Sequence, residues 1–232
     1  MFREFKSLSG IWRRLAKWGL ARKRGRQKLH SPDPEYEPKT QAVNQAYQQA
    51  QSQPAEDVLL YGDEKTVYRW PPPGQVYEAA GSGGIHQPTA SRSTRSNTKH
   101  RWAGLMNAVS GQVLTRDASK AGKDLLIALL EDARQAYPTR QIRLAWDNWP
   151  VHKNPDILAA AQRLDIRLLF LPTYAPWTNP IEKLWGWLQD QILSMHRHAD
   201  EFAVLLQRCR DFLLRFVEPS LELLRHVGLS PD

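Results

Sequence analysis

The sequence predicts an α/β fold: a mixed five-stranded sheet flanked by helices, with a short basic helical arm in front and a helical tail behind. Three observations predict it. Val58-Leu-Leu-Tyr-Gly-Asp63 and Ile166-Arg-Leu-Leu-Phe-Leu171 are apolar runs of strand length, the second closed by Pro172. Ile142, Leu144 and Trp146 alternate with Arg143, Ala145 and Asp147 at the two-residue period of a half-buried strand. Asp156 to Leu164 has helical composition, so the stretch from Ile142 to Leu171 reads strand, crossover helix, strand, which makes a parallel pair.

Taken in order, Ser9 to Leu20 reads as a helix with Ile11, Leu15 and Trp18 on one side and basic residues elsewhere. Ser31-Pro-Asp-Pro-Glu-Tyr-Glu-Pro38 is a proline-punctuated linker, and Thr40 to Gln53 a polar helix for the surface. Asp57 begins the core. Lys65 to Trp70 reads as a second strand hairpinned to the first, before the turn Pro71-Pro-Pro-Gly74. Ala79 to Lys99 is rich in Gly, Ser, Thr and Arg without any period, which predicts a mobile loop. Arg101–Val109 and Gln112–Arg116 flank Ser110-Gly111, the tight turn of a hairpin. Lys120 to Tyr137 is a helix with Leu125, Leu126, Leu129, Leu130 and Ala133 at its apolar positions.

A further helix is marked by Asn179 as N-cap and Pro180 at the first helical position, with Ile181, Leu184, Trp185, Leu188 and Ile192 as its stripe. Ala199–Val217 and Glu222–Val227 are helices that pack on the core or on a second subunit; the sequence leaves both open. Three antiparallel strands, helix, strand, helix, strand, helix is the element order of an RNase H-like fold, an order not confined to nucleases. The expected domains are a basic arm over 1–30, a linker and surface helix over 31–56, the core over 57–194 and C-terminal helices over 195–232.

Composition narrows the function. Of the 232 residues, 41% are hydrophobic, enough for a real core. The single cysteine, Cys209, excludes a disulfide framework and a cysteine zinc site, and its apolar neighbours predict a buried packing role. The seven histidines show no clustered ligand spacing. With no apolar run of membrane-spanning length and no signal-peptide segment, the expected location is the cytoplasm, associated with the nucleoid.

The net charge of +8 is concentrated. Residues 1–30 hold ten Lys and Arg against one acid, Glu4, and the remainder carries 22 basic and 23 acidic residues. Such asymmetry predicts a nucleic-acid arm, or else a solvated tail from Arg22 to Lys28. The candidate DNA contacts are Arg13, Arg14, Lys17, Arg22, Lys23, Arg24, Arg26 and Lys28, together with Arg92, Arg95 and Lys99 of the loop; these loop cations are equally accounted for by solubility.

Three carboxylates carry the candidate chemistry. Asp63 and Asp147 each stand at the end of an apolar strand, where ligand sites gather in open α/β sheets. Glu182 lies in the first turn of its helix, with 34 residues between it and Asp147, and off the apolar stripe. By itself Glu182, three residues after Asn179, is better explained as the acidic half of a capping box. If the three acids converge, their mutual repulsion calls for cations, and hard oxygen ligands with open positions suit Mg²⁺ or Mn²⁺ in a two-ion site for phosphodiester cleavage.

Tyr61-Gly-Asp-Glu64, Trp146-Asp-Asn-Trp-Pro-Val-His152 and Leu171-Pro-Thr-Tyr-Ala-Pro-Trp-Thr-Asn-Pro-Ile-Glu182 resemble the three catalytic blocks of mariner-like bacterial transposases, insertion-sequence family 630. The resemblance covers Asp57 to Leu193, and its last block is specific. It implies an RNase H-like DDE endonuclease domain in which Asp63, Asp147 and Glu182 hold two Mg²⁺ ions, with Mn²⁺ able to substitute. Accessory candidates are Glu64, Asn148, His152 and Asn179; an exposed loop histidine is the plainer reading of His152. Partners implied are DNA (terminal inverted repeats and a TA target) and a second copy of the chain on DNA. Ser9 to Leu20 is similar to the last helix of the family's second helix-turn-helix. The family has more of that module upstream of this point, so a truncated or split-frame product is expected, with a separately encoded helix-turn-helix product as a further partner. The implied function is a DNA transposase that cuts element ends and transfers the strands. Two rivals remain: a non-catalytic DNA-binding protein, and an RNase H-like nuclease without strand transfer.

Overall fold

The computed structural model describes residues 8–19, 30–74, 89–120 and 122–229. The chain divides into two compact units, Met1–His30 and Ser31–Asp232. In the first, α1 spans Leu8–Lys17 and carries Arg13, Arg14 and Lys17 on its exposed surface. Trp12 and Trp18 are exposed at 57% and 64%, so the Trp18 ring expected on the apolar side of this helix stands largely in solvent. Arg22, Lys23, Arg24, Arg26 and Lys28 lie outside the described residues.

The second unit is built on a five-stranded sheet of order β3-β2-β1-β4-β5. Its strands are β1 Asp57–Tyr68, β2 Lys99–Asn107, β3 Val113–Ala118, β4 Gln141–Trp146 and β5 Ile166–Phe170. β1 pairs antiparallel with β2 and parallel with β4; β2 and β3 are antiparallel, β4 and β5 parallel. This is the mixed sheet of the RNase H-like fold. One expectation is corrected. Asp57 to Tyr68 is a single strand rather than two joined by a turn, because β2 is long enough to pair continuously from Leu60↔Asn107 to Tyr68↔Lys99. Asp63 and Glu64 therefore lie within a strand, not at a turn.

The sheet is covered on both faces. On one, α3 (Lys123–Ala136) and α4 (Pro155–Arg163) bury Leu126, Leu129, Leu130 and Ile157 against Val58, Leu60, Ile142 and Leu144. On the other, α5 (Ile181–Leu188), α6 (Phe202–Leu214) and α7 (Leu221–Val227) bury Leu184, Trp185, Cys209, Phe212 and Leu223 with Leu59 and Tyr61. The two C-terminal helices thus pack on the core. α2 (Tyr36–Ser52) joins this second face through Val43, Ala46 and Ala50, so the helix expected on the surface has one buried side. Its few small apolar residues suffice because they sit one or two turns apart on that side.

β4 is covered on both faces and is therefore not half-buried. Ile142, Leu144 and Trp146 face one core and Ala145 the other, while buried Arg143 pairs with buried Asp57. The polar member of the alternation is satisfied by an ion pair instead of by water.

Candidate active site

The parallel pairing of β1 and β4 ends at Tyr61↔Ala145. Asp63 stands two residues beyond that pair on β1, and Asp147 follows the last residue of β4. Both acids emerge where the central strands diverge. Glu182 comes from the first turn of α5. All three line one cavity of about 420 Å³, together with Asn148, Asn179 and Tyr174.

α5 is brought to this cavity by close packing. Gly104 is the register partner of Asp63, and a Cβ there would lie 2.9 Å from Trp185 Cζ2 of α5. The missing side chain lets α5 lie close on the sheet beside Asp63. Asn179 ties the helix entrance to β1, its Nδ2 donating to the Gly62 carbonyl at 2.9 Å. The expected cap is thereby corrected: Pro180 occupies the cap position, and no side chain caps α5. The Glu182 amide donates to the Asn179 carbonyl at 3.2 Å, but the Glu182 carboxylate lines the cavity and closes no capping box.

Electrostatics separate the acids. Burial, then the charges of Glu182 and Glu64, push Asp63 up to about 8. Glu182 is also raised, by burial and by Asp147, against the opposing pull of Lys65. Burial would raise Asp147 too, but hydrogen bonds from His152 and the Trp149 amide outweigh it and hold that carboxyl below its ordinary range. The Trp149 amide donates to Asp147 Oδ1 at 2.9 Å, and His152 Nδ1 lies 2.7 Å from the same oxygen.

His152 is fully buried, which overturns the exposed-loop reading. It sits in a short 3₁₀ turn, Pro150–Lys153, stacked on Trp146 with ring centroids 3.9 Å apart. Its Nε2 is 3.0 Å from Glu64 Oε1, whose side chain is also nearly buried. Burial by itself would lower His152, yet its bonds to Asp147 and Glu64 prevail and raise it to about 9. It is an imidazolium clasped between two carboxylates. Asn148, in the same cavity wall, donates through Nδ2 to the Leu171 carbonyl.

Lys65 joins the cluster without having stood out in the sequence. It is half-buried among Glu182, Asp63 and Asp190, and burial lowers its pKa against their attraction. A signal for it exists: two residues after Asp63 on a strand, Lys65 shares its face.

None of the basic loop residues lines the cavity of the three acids, though Arg92 lines a neighbouring groove with Lys65. Arg92, Arg95 and Lys99 are exposed. Of the stretch expected to be a mobile loop, residues 79–88 lie outside the described residues; in the remainder Ser93 Oγ donates to Asp200 Oδ1 at 2.5 Å, and Trp70 Nε1 to the Arg95 carbonyl at 3.1 Å. Arg92 stacks over Trp70, 5.0 Å from the ring centroid.

Residues 58–204 match the family model of the DDE superfamily endonucleases, well over half of the chain. The chain belongs to that family. Among curated proteins it is 26% identical over 197 residues to an uncharacterized 39 kDa protein of insertion element IS630 from Shigella sonnei, a match covering 84% of this chain and 55% of that protein. This DDE endonuclease chain thus spans about half the length of the curated relative. Among solved structures it is similar to Mos1 transposase in a paired-end complex with the left transposon end, at a TM-score of 0.65 and 17% identity, covering 95% of this chain and 66% of Mos1. The Mos1 strand transfer complex matches with a TM-score of 0.64 at 17% identity over 95% of this chain and 65% of that one. A Mos1 mariner paired-end complex with Mn matches at 0.61 and 18% identity, over 96% and 67%. At these identities the likeness establishes the fold. The family match spans all three sequence blocks, Tyr61–Glu64, Trp146–His152 and Leu171–Glu182.

Proposed function

We propose that this chain is the catalytic core of a DDE transposase that hydrolyses DNA at the ends of a mobile element and joins the freed 3′-hydroxyls to a target. The observation that carries the reading is that Asp63, Asp147 and Glu182 reach one cavity from three separate elements, in a chain of the DDE endonuclease family. The Mos1 relatives are complexes with transposon-end DNA, and two are described with Mn or Mg. Carried to this chain, the partner is DNA, terminal repeats and a TA target, bound by a homodimer.

The donor set fits two Mg²⁺ ions, with Mn²⁺ as substitute. It is all oxygen, and the raised Asp63 and Glu182 carboxyls mark anionic forms that lack sufficient positive charge nearby, Lys65 supplying only part of it. Asn179 Oδ1 is buried on the cavity wall without a hydrogen-bond partner. Among the described residues no three acidic, histidine or cysteine side chains stand close enough together to hold a metal ion, so Asp63, Asp147 and Glu182 share a cavity without forming a ligand group as they stand and would have to draw in around the ions. Water and substrate phosphate would supply the remaining positions, the usual case for Mg²⁺. Bound divalent cations would supply positive charge against the phosphate and lower the pKa of the attacking oxygen.

The chain's own residues do the positioning. Asp147 is kept ionised and aimed by His152 and the Trp149 amide. Glu64 anchors the far side of His152, so both ends of this clasp are set before any ligand arrives. Asn179 keeps Glu182 registered on β1 through Gly62. Arg13, Arg14 and Lys17, with Arg22, Lys23, Arg24, Arg26 and Lys28, would supply phosphate contacts from the arm, and Arg92, Arg95 and Lys99 from the core.

The test is nicking of supercoiled DNA by the purified chain with Mg²⁺ or Mn²⁺. Wild type should nick, and Asp147→Ala and Glu182→Ala should be inactive while still folded. Nicking that survives both substitutions, or requires no divalent cation, overturns the reading. Transfer of a 3′-hydroxyl oligonucleotide into a target separates transposase from simple nuclease.

A further inference from the structure

The linker Ser31–Tyr36 grips the wall of the acid cavity. Ser31 Oγ donates to the Thr173 carbonyl at 2.5 Å, and the Thr173 amide donates to Asp33 Oδ2 at 2.7 Å. Both backbone polar groups of one cavity-lining residue are thus taken by a segment 140 to 142 positions away. Asp33 is itself held, accepting from the Glu35 amide and from Lys39 Nζ, each at 2.9 Å. Its side chain is only 4% exposed. The Thr173 amide first, then Lys39 and the Glu35 amide, keep its carboxyl well below the usual range, so it is an anion at every pH at which the chain would be assayed. A third tie runs from Trp177 Nε1 to Tyr36 Oη at 3.3 Å.

What this grip holds is unusual backbone. Tyr174, next after Thr173, has φ +52°, a region costly for a bulky side chain, and its ring stands 78% exposed at the cavity. Such a conformation persists only where the surroundings hold it, and here the preceding residue is bonded through both its amide and its carbonyl. The next residues, Pro176–Thr178, form a 3₁₀ turn leading to Asn179 and Glu182.

We propose that Ser31 and Asp33 are positioning residues of the candidate active site, holding the Thr173–Tyr174 rim and through it the approach to Glu182. They follow directly on the unit Met1–His30 in the chain. The catalytic consequence rests on the transposase reading above; the clamp does not.

The experiment uses the full chain and two readouts: hydrogen exchange at the Thr173 amide, and Mn²⁺-dependent nicking measured over a range of DNA concentrations. Asp33→Ala should speed Thr173 exchange and lower kcat by about tenfold each, with KM for DNA unchanged, since one charge-assisted bond is lost without touching DNA. Ser31→Ala should act in the same direction. Asp33→Asn keeps an acceptor for the amide and should recover most of both losses. Lys39→Met removes one of the two groups that hold Asp33 but leaves its bond to the Thr173 amide, and should fall between wild type and Asp33→Ala. Unchanged Thr173 exchange in Asp33→Ala refutes the clamp. Faster exchange with unaltered kcat refutes its positioning role, and a kcat loss in Lys39→Met as large as in Asp33→Ala would mean general destabilisation and refute it too. If wild type does not nick at all, the transposase reading falls, and Thr173 exchange alone judges the clamp.

Discussion

Asp63 is the residue at which stability and chemistry pull in opposite directions. Its carboxyl, ordinarily near 3.8, is raised to about 8 in the folded chain. Between those values the folded state holds a proton that the unfolded state releases, so the stability of the metal-free chain falls as pH rises from about 4 to about 8. Asp63→Asn should therefore raise the melting temperature of metal-free protein at pH 8, by the equivalent of roughly 1–3 kcal/mol, and leave it nearly unchanged at pH 4. The same variant should lose nicking, the stability–function trade expected of a site built from like charges. Thermal melts at the two pH values, without and with Mg²⁺, check this; a destabilised Asp63→Asn would contradict it. His152 follows pH in the same direction, but as a favourable contact rather than a penalty. Its ordinary value of 6.5 is raised to about 9, so its contribution is full below pH 6.5 and is lost as pH rises through about 9. His152→Ala leaves Glu64 without its partner in a nearly buried position and removes a ring stacked on Trp146. A loss of about 2–4 kcal/mol is expected at pH 6, by chemical denaturation, and clearly less at pH 10.

At the scale of elements, the seat of α5 decides where Glu182 points. Gly104 permits that seat, since a methyl there meets the buried Trp185 ring at 2.9 Å and 3.0 Å. Gly104→Ala should cost about 1–3 kcal/mol by overpacking, and because Trp185 is only three residues from Glu182 on one helix, nicking should fall further than stability accounts for. Trp185→Phe in the same background gives the ring room and should restore part of both. Denaturation and nicking of the single and double variants check this; additive losses would show that Gly104 and Trp185 are not coupled. The two C-terminal helices are held by the same face, with Trp187, Phe212 and Phe216 in mutual ring contact. Their packing is a part of the core rather than an appendage.

For the whole molecule, charge and fold are carried by different stretches. The excess positive charge lies in residues 1–30, whereas the sheet and both cores belong to Ser31–Asp232. Removing residues 1–30 should leave the melting temperature of the remainder unchanged. It should also flatten the dependence of DNA affinity on salt, by about 0.9 in slope for each phosphate that the arm no longer neutralises. Titrations at several salt concentrations measure this. An unchanged slope would move the DNA surface to Arg92, Arg95 and Lys99. Among the described residues no helix is long and apolar enough to cross a membrane.

Local pattern by itself determined most strands, most helices, the parallel β4–β5 pair and the two aspartates that close apolar runs, because period, turn residues and proline act over a few positions; Glu182 stood out only through the resemblance of its block. Local pattern also placed the excess charge. Tertiary structure alone decided the rest. The run from Asp57 to Tyr68 is one strand because β2 pairs along it, and no local signal reports the length of a partner. His152 is buried because Glu64, 88 positions away, receives it, whereas its own neighbourhood of Pro, Asn and Lys reads as open loop. Asn179 spends its side chain on Gly62 instead of on its own helix. Ser31 and Asp33, which read as linker, hold Thr173. In each case a polar group could be satisfied locally or at a distance, and only the assembled fold brings the distant partner within about 3 Å, where burial makes that bond the stronger one.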